Sequence, residues 1–525
     1  MGQVNSTANL DPFLTQANSG WATLFILGLI SFGWSIARVL AKRPGASLFN
    51  PKKWTEISSS RAIREVLFNM REVLDAWFAE NPGRPIRLLS DIGEMTVIAP
   101  ELAEAIRSDP KLSFVRANNP PFHPHIAGFE AFGEGAKHEG KLIKTVLNKD
   151  LSKLLNKVTW PLAEEALLAF PEYFGTEKSW RKVPLRDTLL PLVARLSTRV
   201  FMGEELCRNK EWLKISSEYS SDSFMAADKL RQWPKFLRPL VSHFAPYGRS
   251  LRKQVDDARR IIEPLLQQRQ KLKAETKAKG GTLKFNDSLE WFERNASASY
   301  DPVAMQLFLS LVAIHSTTDL ISQFMVDVAR NPEIIAPLKE EILGVLGTEG
   351  WTKSALFKMK LLDSALKETQ RLKPIQLASM LRASAEDFTL PDGTFVPRDH
   401  VISVSTHAMR DPAVYRDPEV WDGYRFFRMR EQPGKELSAQ LVTTSSEHLG
   451  FGHGSHACPG RFFAANEVKI AMVFILLQYD WRLLPGAKPQ TVSWGVNWNT
   501  DPTIEIEVRR TNCIDIDPKA GVLFV

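Results

Sequence analysis

Across residues 301–331 apolar side chains recur at helical spacing without a break, which asks for one helix of about thirty residues. Asp301-Pro302 is a strong start, an acceptor side chain at the cap and then proline in the first position; Asn331-Pro332 is a strong stop. At about 1.5 Å per residue, thirty residues run to about 45 Å, enough to cross a whole domain. The other elements must then pack around it. The 525-residue chain therefore reads as one large domain, where about 150 residues per domain would give three or four.

The rest of the pattern is mainly helical with small sheets. Residues 85–98 (PIRLLSDIGEMTVI) predict two short strands turning at Asp91 to Gly93. Residues 117–135, rich in Pro, Gly, His and Phe, predict a loop with an apolar lining. Helical spacing then prevails to about Arg330, interrupted by the basic, glycine-containing residues 271–284, read as a surface loop. Strand signals return at 388–405, around a Pro391-Asp392-Gly393 turn, and at 503–508.

Near the N-terminus, residues 21–37 (WATLFILGLISFGWSIA) carry no charge, and counting on to Ala41 gives a span of about 21 residues, the length that crosses a hydrocarbon core of about 30 Å. Trp21 and Trp34 suit the interfaces, and Arg38 can extend toward the headgroups. Lys42, Arg43, Lys52 and Lys53 follow the span, whereas the residues before it hold no Lys or Arg, so the positive-inside rule puts the bulk of the chain in the cytosol. A cleaved signal peptide is the alternative, but there is no basic region ahead of the apolar stretch. The expected organisation is a lumenal segment 1–20 with a glycosylation sequon at Asn5, a transmembrane anchor 21–41 and a catalytic domain 42–525.

The chemistry concentrates in residues 448–461, HLGFGHGSHACPGR. Cys458 stands just before a predicted helix start at Arg461, where the helix dipole and free N–H groups favour a thiolate. Such a thiolate suits an iron ligand, and the glycines let backbone approach a flat macrocycle. The run Phe451, Gly454, His456, Cys458, Gly460 resembles the haem-binding signature of the cytochrome P-450 superfamily, with His456 where the superfamily usually has Arg, as is common in fungal members.

Three further motifs carry the same resemblance. Glu368 and Arg371 lie three apart on a predicted helix, which alone would read as a surface ion pair. The family buries this pair and completes it with a downstream Arg, here Arg425 in DGYRF. His407, Arg410, Asp411 and Pro412 also follow the family style. In the long helix the family's small residue–Gly–x–acid–Thr corresponds to residues 312–318, VAIHSTT, so that Ala313 stands for the Gly, His315 for the acid and Ser316 for the Thr; one residue later, Thr317 takes the alcohol position. His315 would be a titratable group for proton delivery, or the histidine and hydroxyls simply bond to helix carbonyls. The resemblance further implies that His456 and Arg382 meet the haem propionates, with Lys144 as a weaker candidate, and it spans residues 45–525.

What the resemblance implies is a cytochrome P-450 fold and a membrane-bound monooxygenase of the endoplasmic reticulum facing the cytosol. It would use haem b, O2 and electrons from NADPH through a cytochrome P-450 reductase, which a basic face around Arg461 and Lys469 would dock. The fungal resemblance implies a lipophilic secondary-metabolite substrate, terpenoid-derived (diterpenoid, indole diterpene or meroterpenoid). Positions implied to line its site include residues 122–132, Phe224, Phe308, Val312, residues 375–380 and 494–499. Rearrangement or dehydration without net oxygenation is the second reading. A membrane-anchored zinc protein, with His448, His453, His456 and Cys458 as ligands, is a remote third. Three cysteines are too few for a disulfide scaffold, and the net charge of +7 is accounted for by a membrane and a reductase without nucleic acid.

Overall fold

Asp301 caps the central helix as its sequence asks: its carboxylate accepts the N–H groups of Val303 (2.9 Å) and Ala304 (3.1 Å), and Pro302 opens the first turn. The computed structural model describes residues 45–511, with the backbone of 514–517 and 521–524; the anchor read at 21–41, the 1–20 segment with Asn5, and Cys513 lie outside the described residues. The helices that position the site are α1 (Ser60–Glu80), α2 (Glu130–Thr145), α3 (Ser152–Phe174), α4 (Leu185–Phe201), α5 (Lys210–Arg231), α6 (Pro246–Ala278), α7 (Pro302–Arg330), α8 (Lys360–Leu372) and α9 (Arg461–Gln478). The long central helix α7 packs against α2, α4, α5, α6, α8 and α9. It is long and apolar enough to cross a membrane, yet most of that apolar window is buried among these neighbours, as a core helix is.

A five-stranded sheet lies to one side, in the order β1 (Ile86–Ser90), β2 (Gly93–Ile98), β8 (Val401–Ser405), β5 (Ala378–Ser384), β3 (Leu112–Ser113). The β1–β2 hairpin closes with Ser90 opposite Gly93, the turn anticipated from the sequence. Only the β2–β8 pairing is parallel. A second sheet joins β4 (Arg181–Pro184), β12 (Glu505–Arg510) and β9 (Tyr479–Leu483), and three antiparallel strand pairs complete the small β region: β6 (Phe388–Thr389) with β7 (Phe395–Val396), β10 (Val492–Trp494) with β11 (Asn497–Asn499), and β13 (Ile514–Asp517) with β14 (Gly521–Phe524).

Two expected loops are partly helical. Residues 117–135 contain a 3-10 turn, Pro120–Phe122, and the start of α2, where burial of Phe129, Ala131 and Phe132 outweighs the weak propensity of Gly133 and Gly135. Within 271–284 the helix α6 continues to Ala278, since these residues are mostly strong helix formers, and it stops at Gly280, whose φ of +78° suits glycine. In the other direction, α2 is interrupted: His138, Glu139 and Gly140 are left-handed before the helix resumes toward Lys144.

Candidate active site

The loop before α9 is wound tightly enough to fix Cys458. The N–H of Cys458 donates to the Phe451 carbonyl (2.8 Å), and that of Ala457 to the Gly454 carbonyl (3.0 Å). Gly454 has φ +77°, and a β carbon there would fall 2.1 Å from the Arg107 carbonyl oxygen, so the position is closed to other residues. Arg461 begins α9 one turn later and donates from its guanidinium to the Cys458 carbonyl (2.8 Å). Burial pushes the Cys458 thiol up, and the N–H groups of Gly460 and Arg461 with the Arg461 charge pull it down by less. The helix start therefore acts in the expected sense without prevailing, and a bound cation is what would complete deprotonation.

Beside this loop lie three groups of basic character. Arg382, on β5 at a β-bulge where Met380 has φ 56°, is 1% exposed; one terminal nitrogen donates to the Leu381 carbonyl (2.7 Å) and the other is buried without a partner. Lys144 Nζ lies 2.9 Å from His456 Nδ1. The His456 ring stacks on Phe114 (6.2 Å), over which the Arg382 guanidinium also sits at 5.6 Å. Burial lowers Arg382 to about 10. Burial followed by the neighbouring cations lowers His456 to about 4, and burial followed by Arg382 lowers Lys144. No carboxylate pairs with Arg382 among the described residues. Glu139 acts on Lys144 but no carboxylate offsets the desolvated Arg382, so the cluster is short of negative charge, and the propionates of a haem held by Cys458 would fit it. On the donor chemistry, then, the residues present fit the group.

Facing the site, Phe308, Val312 and Ser316 stand one turn apart on α7, and Val312 is 43% exposed in the middle of a helix otherwise largely buried, which marks a cavity-facing stripe. Ser316 is exposed on the same stripe, with its hydroxyl donating to the Val312 carbonyl (3.2 Å), while Thr317 and Thr318 are buried. His315 points between helices instead: Nε2 is 3.1 Å from the Ser217 carbonyl on α5, and Nδ1 is 3.4 Å from Arg186 on α4. Burial, then the Arg186 charge, lowers it to about 4. Phe122 stacks on Phe132 (4.5 Å) and meets Phe224 edge-on (5.2 Å), giving an aromatic wall. Phe308 rests in a recess open only because residue 135 is glycine, where a β carbon would lie 2.5 Å from its ring.

Beneath the site, Glu368, Arg371 and Arg425 come together. Glu368 is fully buried and accepts Arg371 Nε (2.8 Å) and Nη2 (2.9 Å), Arg425 Nε (3.0 Å) and the Asp422 N–H (3.2 Å). Arg371 also donates to the carbonyls of Met409 and Pro418 and lies over the Tyr415 ring. The network ties α8 to residues 409–425, far from a surface ion pair.

Two expectations are corrected. The basic face around Arg461 and Lys469 does not exist as a surface: Lys469 is 5% exposed, paired with Asp363 (2.6 Å) and bonded to the Leu356 carbonyl, and Arg461 is engaged by Cys458 and the Phe462 ring. The zinc reading fails because its ligands diverge. His448 is buried against Phe426, His453 bridges Glu104 and Thr444, and His456 meets Lys144; among the described residues no His, Cys, Asp or Glu cluster could hold a metal ion. Sequence reading missed Phe114 as the shared platform of His456 and Arg382, and Asp319, which pairs with buried Lys373 and accepts the Thr500 N–H (2.8 Å). Both depend on contacts between remote segments and carry no local signal.

The cytochrome P450 family model matches residues 89–504. The chain is 54% identical to the cytochrome P450 monooxygenase TRI1 of Fusarium sporotrichioides, over 94% of this chain and 90% of that one. It is 45% identical to the cytochrome P450 monooxygenase hepE of Aspergillus oryzae (88% and 85% covered) and 37% identical to the dihydro-ML-236C monooxygenase mlcC of Penicillium citrinum (98% of both).

Proposed function

The chain belongs to the cytochrome P450 family, and from that premise we propose that Cys458 is the thiolate ligand of its haem iron, with Lys144, Arg382 and His456 holding the haem propionates. The protein is a P450 monooxygenase that works with haem b, O2 and electrons supplied by a reductase. The observation that carries the site assignment is the orphaned, buried Arg382 donor, which no carboxylate among the described residues pairs, beside the loop that presents Cys458. Bound haem supplies the iron on which dioxygen is activated. Phe451, Gly454 and Gly460 shape the loop around the sulfur, and Glu368, Arg371 and Arg425 hold the segment that supports it.

On the opposite side Ser316 takes the alcohol position: it shares the Val312 face, so its hydroxyl can hold or pass a proton there, whereas Thr317 is buried. His315 supports this from behind by anchoring α7 to α5 through the Ser217 carbonyl. The substrate is a lipophilic secondary-metabolite intermediate, and we read it as terpenoid-derived. The aromatic wall of Phe122, Phe132 and Phe224 supports a bulky apolar scaffold held by shape. Spectral titration of the holoenzyme against terpenoid, polyketide and alkaloid panels tests this: a high-spin shift with terpenoids is expected, and a shift with polyketides alone contradicts it.

Residues 21–41 anchor the chain in the endoplasmic reticulum membrane with residues 42–525 in the cytosol, where NADPH-dependent reductase meets it. The uncharged span and the basic residues after it support that topology. In intact microsomes an N-terminal tag should resist protease while a C-terminal tag is digested, and the reverse result contradicts the orientation.

A further inference from the structure

Segments far apart in sequence meet where α5 ends. Arg231, in the last turn of α5, donates to the Pro121 carbonyl (3.1 Å) and to Asp91 in the β1–β2 turn (3.1 Å), and it also pairs with Asp228 one turn back on its own helix. Asp228 in turn accepts the indole N–H of Trp494, on β10, at 3.1 Å. Trp494 meets Phe68 of α1 edge-on (5.5 Å), and the next residue, Gly495, donates to the Leu67 carbonyl (2.8 Å). Gly495 is also pressed on Asp91: a β carbon there would come within 2.5 Å of its carboxylate. Burial raises both Asp91 and Asp228, against the pull of Arg231, so one guanidinium compensates two partly desolvated carboxylates.

The inner side of the same segments is the aromatic wall. Phe122 follows Pro121, Phe224 lies one turn before Asp228, and the two rings touch. The polar cluster is therefore the outer rim of the cavity whose inner wall is apolar. Arg231 and its partner Asp228 thus fasten α5 to the Pro120–Phe122 turn, the β1–β2 turn and the β10–β11 hairpin at this rim.

We propose that Arg231 is a size-selecting positioning residue at the mouth of this cavity: it clasps α5 to the Pro121 turn, the β1–β2 turn and, through Asp228, Trp494, so that a molecule larger than the closed aperture enters only when these bonds part. The proposal rests on the reading of the Phe122–Phe224–Ser316 cavity as the substrate site.

The test uses the full-length holoenzyme and two iron-ligating probes of different size, imidazole and clotrimazole, followed by stopped-flow Soret shift. Arg231→Met should raise the clotrimazole association rate by about fivefold or more and the imidazole rate by less than about twofold. Amide exchange at residues 492–495 should quicken in the same variant. Trp494→Phe, which loses only the indole donor to Asp228, should give an intermediate clotrimazole rate, and it decides the matter if Arg231→Met does not retain haem. Equal acceleration of both probes, or an unchanged clotrimazole rate in a variant with an intact thiolate-type carbon-monoxide band, overturns the clasp. Absence of that band in the unsubstituted enzyme overturns instead the haem-thiolate reading beneath it.

Discussion

Replacing Glu368 by Gln is the sharpest test of how the site is held. The change keeps the volume but turns an acceptor of four side-chain bonds into a group with two N–H donors of its own, facing the guanidinium groups of Arg371 and Arg425. Arg371 has no exposure through which water could compensate, and its other bonds run to carbonyls, which do not cancel its charge. Breaking a buried pair in this way costs about 3–5 kcal/mol. That is a large share of a total of about 5–15 kcal/mol. At about 2.1 cal/mol/K of unfolding entropy per residue, a chain of this size has about 1 kcal/mol/K, so Tm should fall by about 3–5 °C. Calorimetry of the holoenzyme gives the shift, and the Soret-to-protein absorbance ratio should show reduced haem content. Glu368→Gln combined with Arg371→Met should be less destabilised than the sum of the single variants by about 1 kcal/mol or more, because the second change removes the stranded charge. A Glu368→Gln variant with Tm within about 1 °C of the parent and full haem content, or strict additivity in the pair, would refute the reasoning.

Three further outcomes follow from the same geometry. Ser316→Ala should lower the product formed per NADPH consumed by severalfold, whereas Thr317→Ala should leave that ratio near the parent's; the opposite pattern would move the alcohol role to Thr317. Arg382→Leu should weaken haem retention, measured by transfer to apomyoglobin, without lowering apoprotein Tm, since it removes an unpaired buried charge; a destabilised apoprotein that keeps its haem would contradict the assignment. Glu467, on α9, is fully buried with Ser197 as its hydrogen-bond donor (2.7 Å), and burial raises it to about 8. Its folded value stands above the unfolded value of about 4.3, so its contribution is complete below about 4.3 and is lost as pH rises through about 8. Tm of the parent should therefore decline from mildly acidic to alkaline pH more steeply than that of Glu467→Gln, and parallel slopes would refute the assignment.

What the sequence made legible was whatever local chemistry decides. Asp301-Pro302 starts α7 where expected, because a cap and a first-turn proline act within a few residues. The glycines around Cys458 read as room for a flat macrocycle, but the close approach at Gly454 is to the Arg107 backbone, a remote segment that the motif does not reveal. What stayed hidden depended on direction. Residues 315–318 are four successive polar positions, and only packing shows that His315 turns to α5, Ser316 to the cavity and Thr317 inward. Lys469 looks like a surface cation in sequence, but its partner Asp363 lies on α8, more than a hundred residues earlier. The Arg231 clasp draws on Asp91, Pro121 and Trp494, which no local pattern connects.

The central claim is that Cys458 is the sulfur ligand of a haem, and the ferrous carbon-monoxide difference spectrum reads that ligand directly. The account predicts a band at about 450 nm for the chain as it stands and its loss in Cys458→Ala. A native chain that binds haem without that band, or a Cys458→Ala variant that keeps it, would contradict the account.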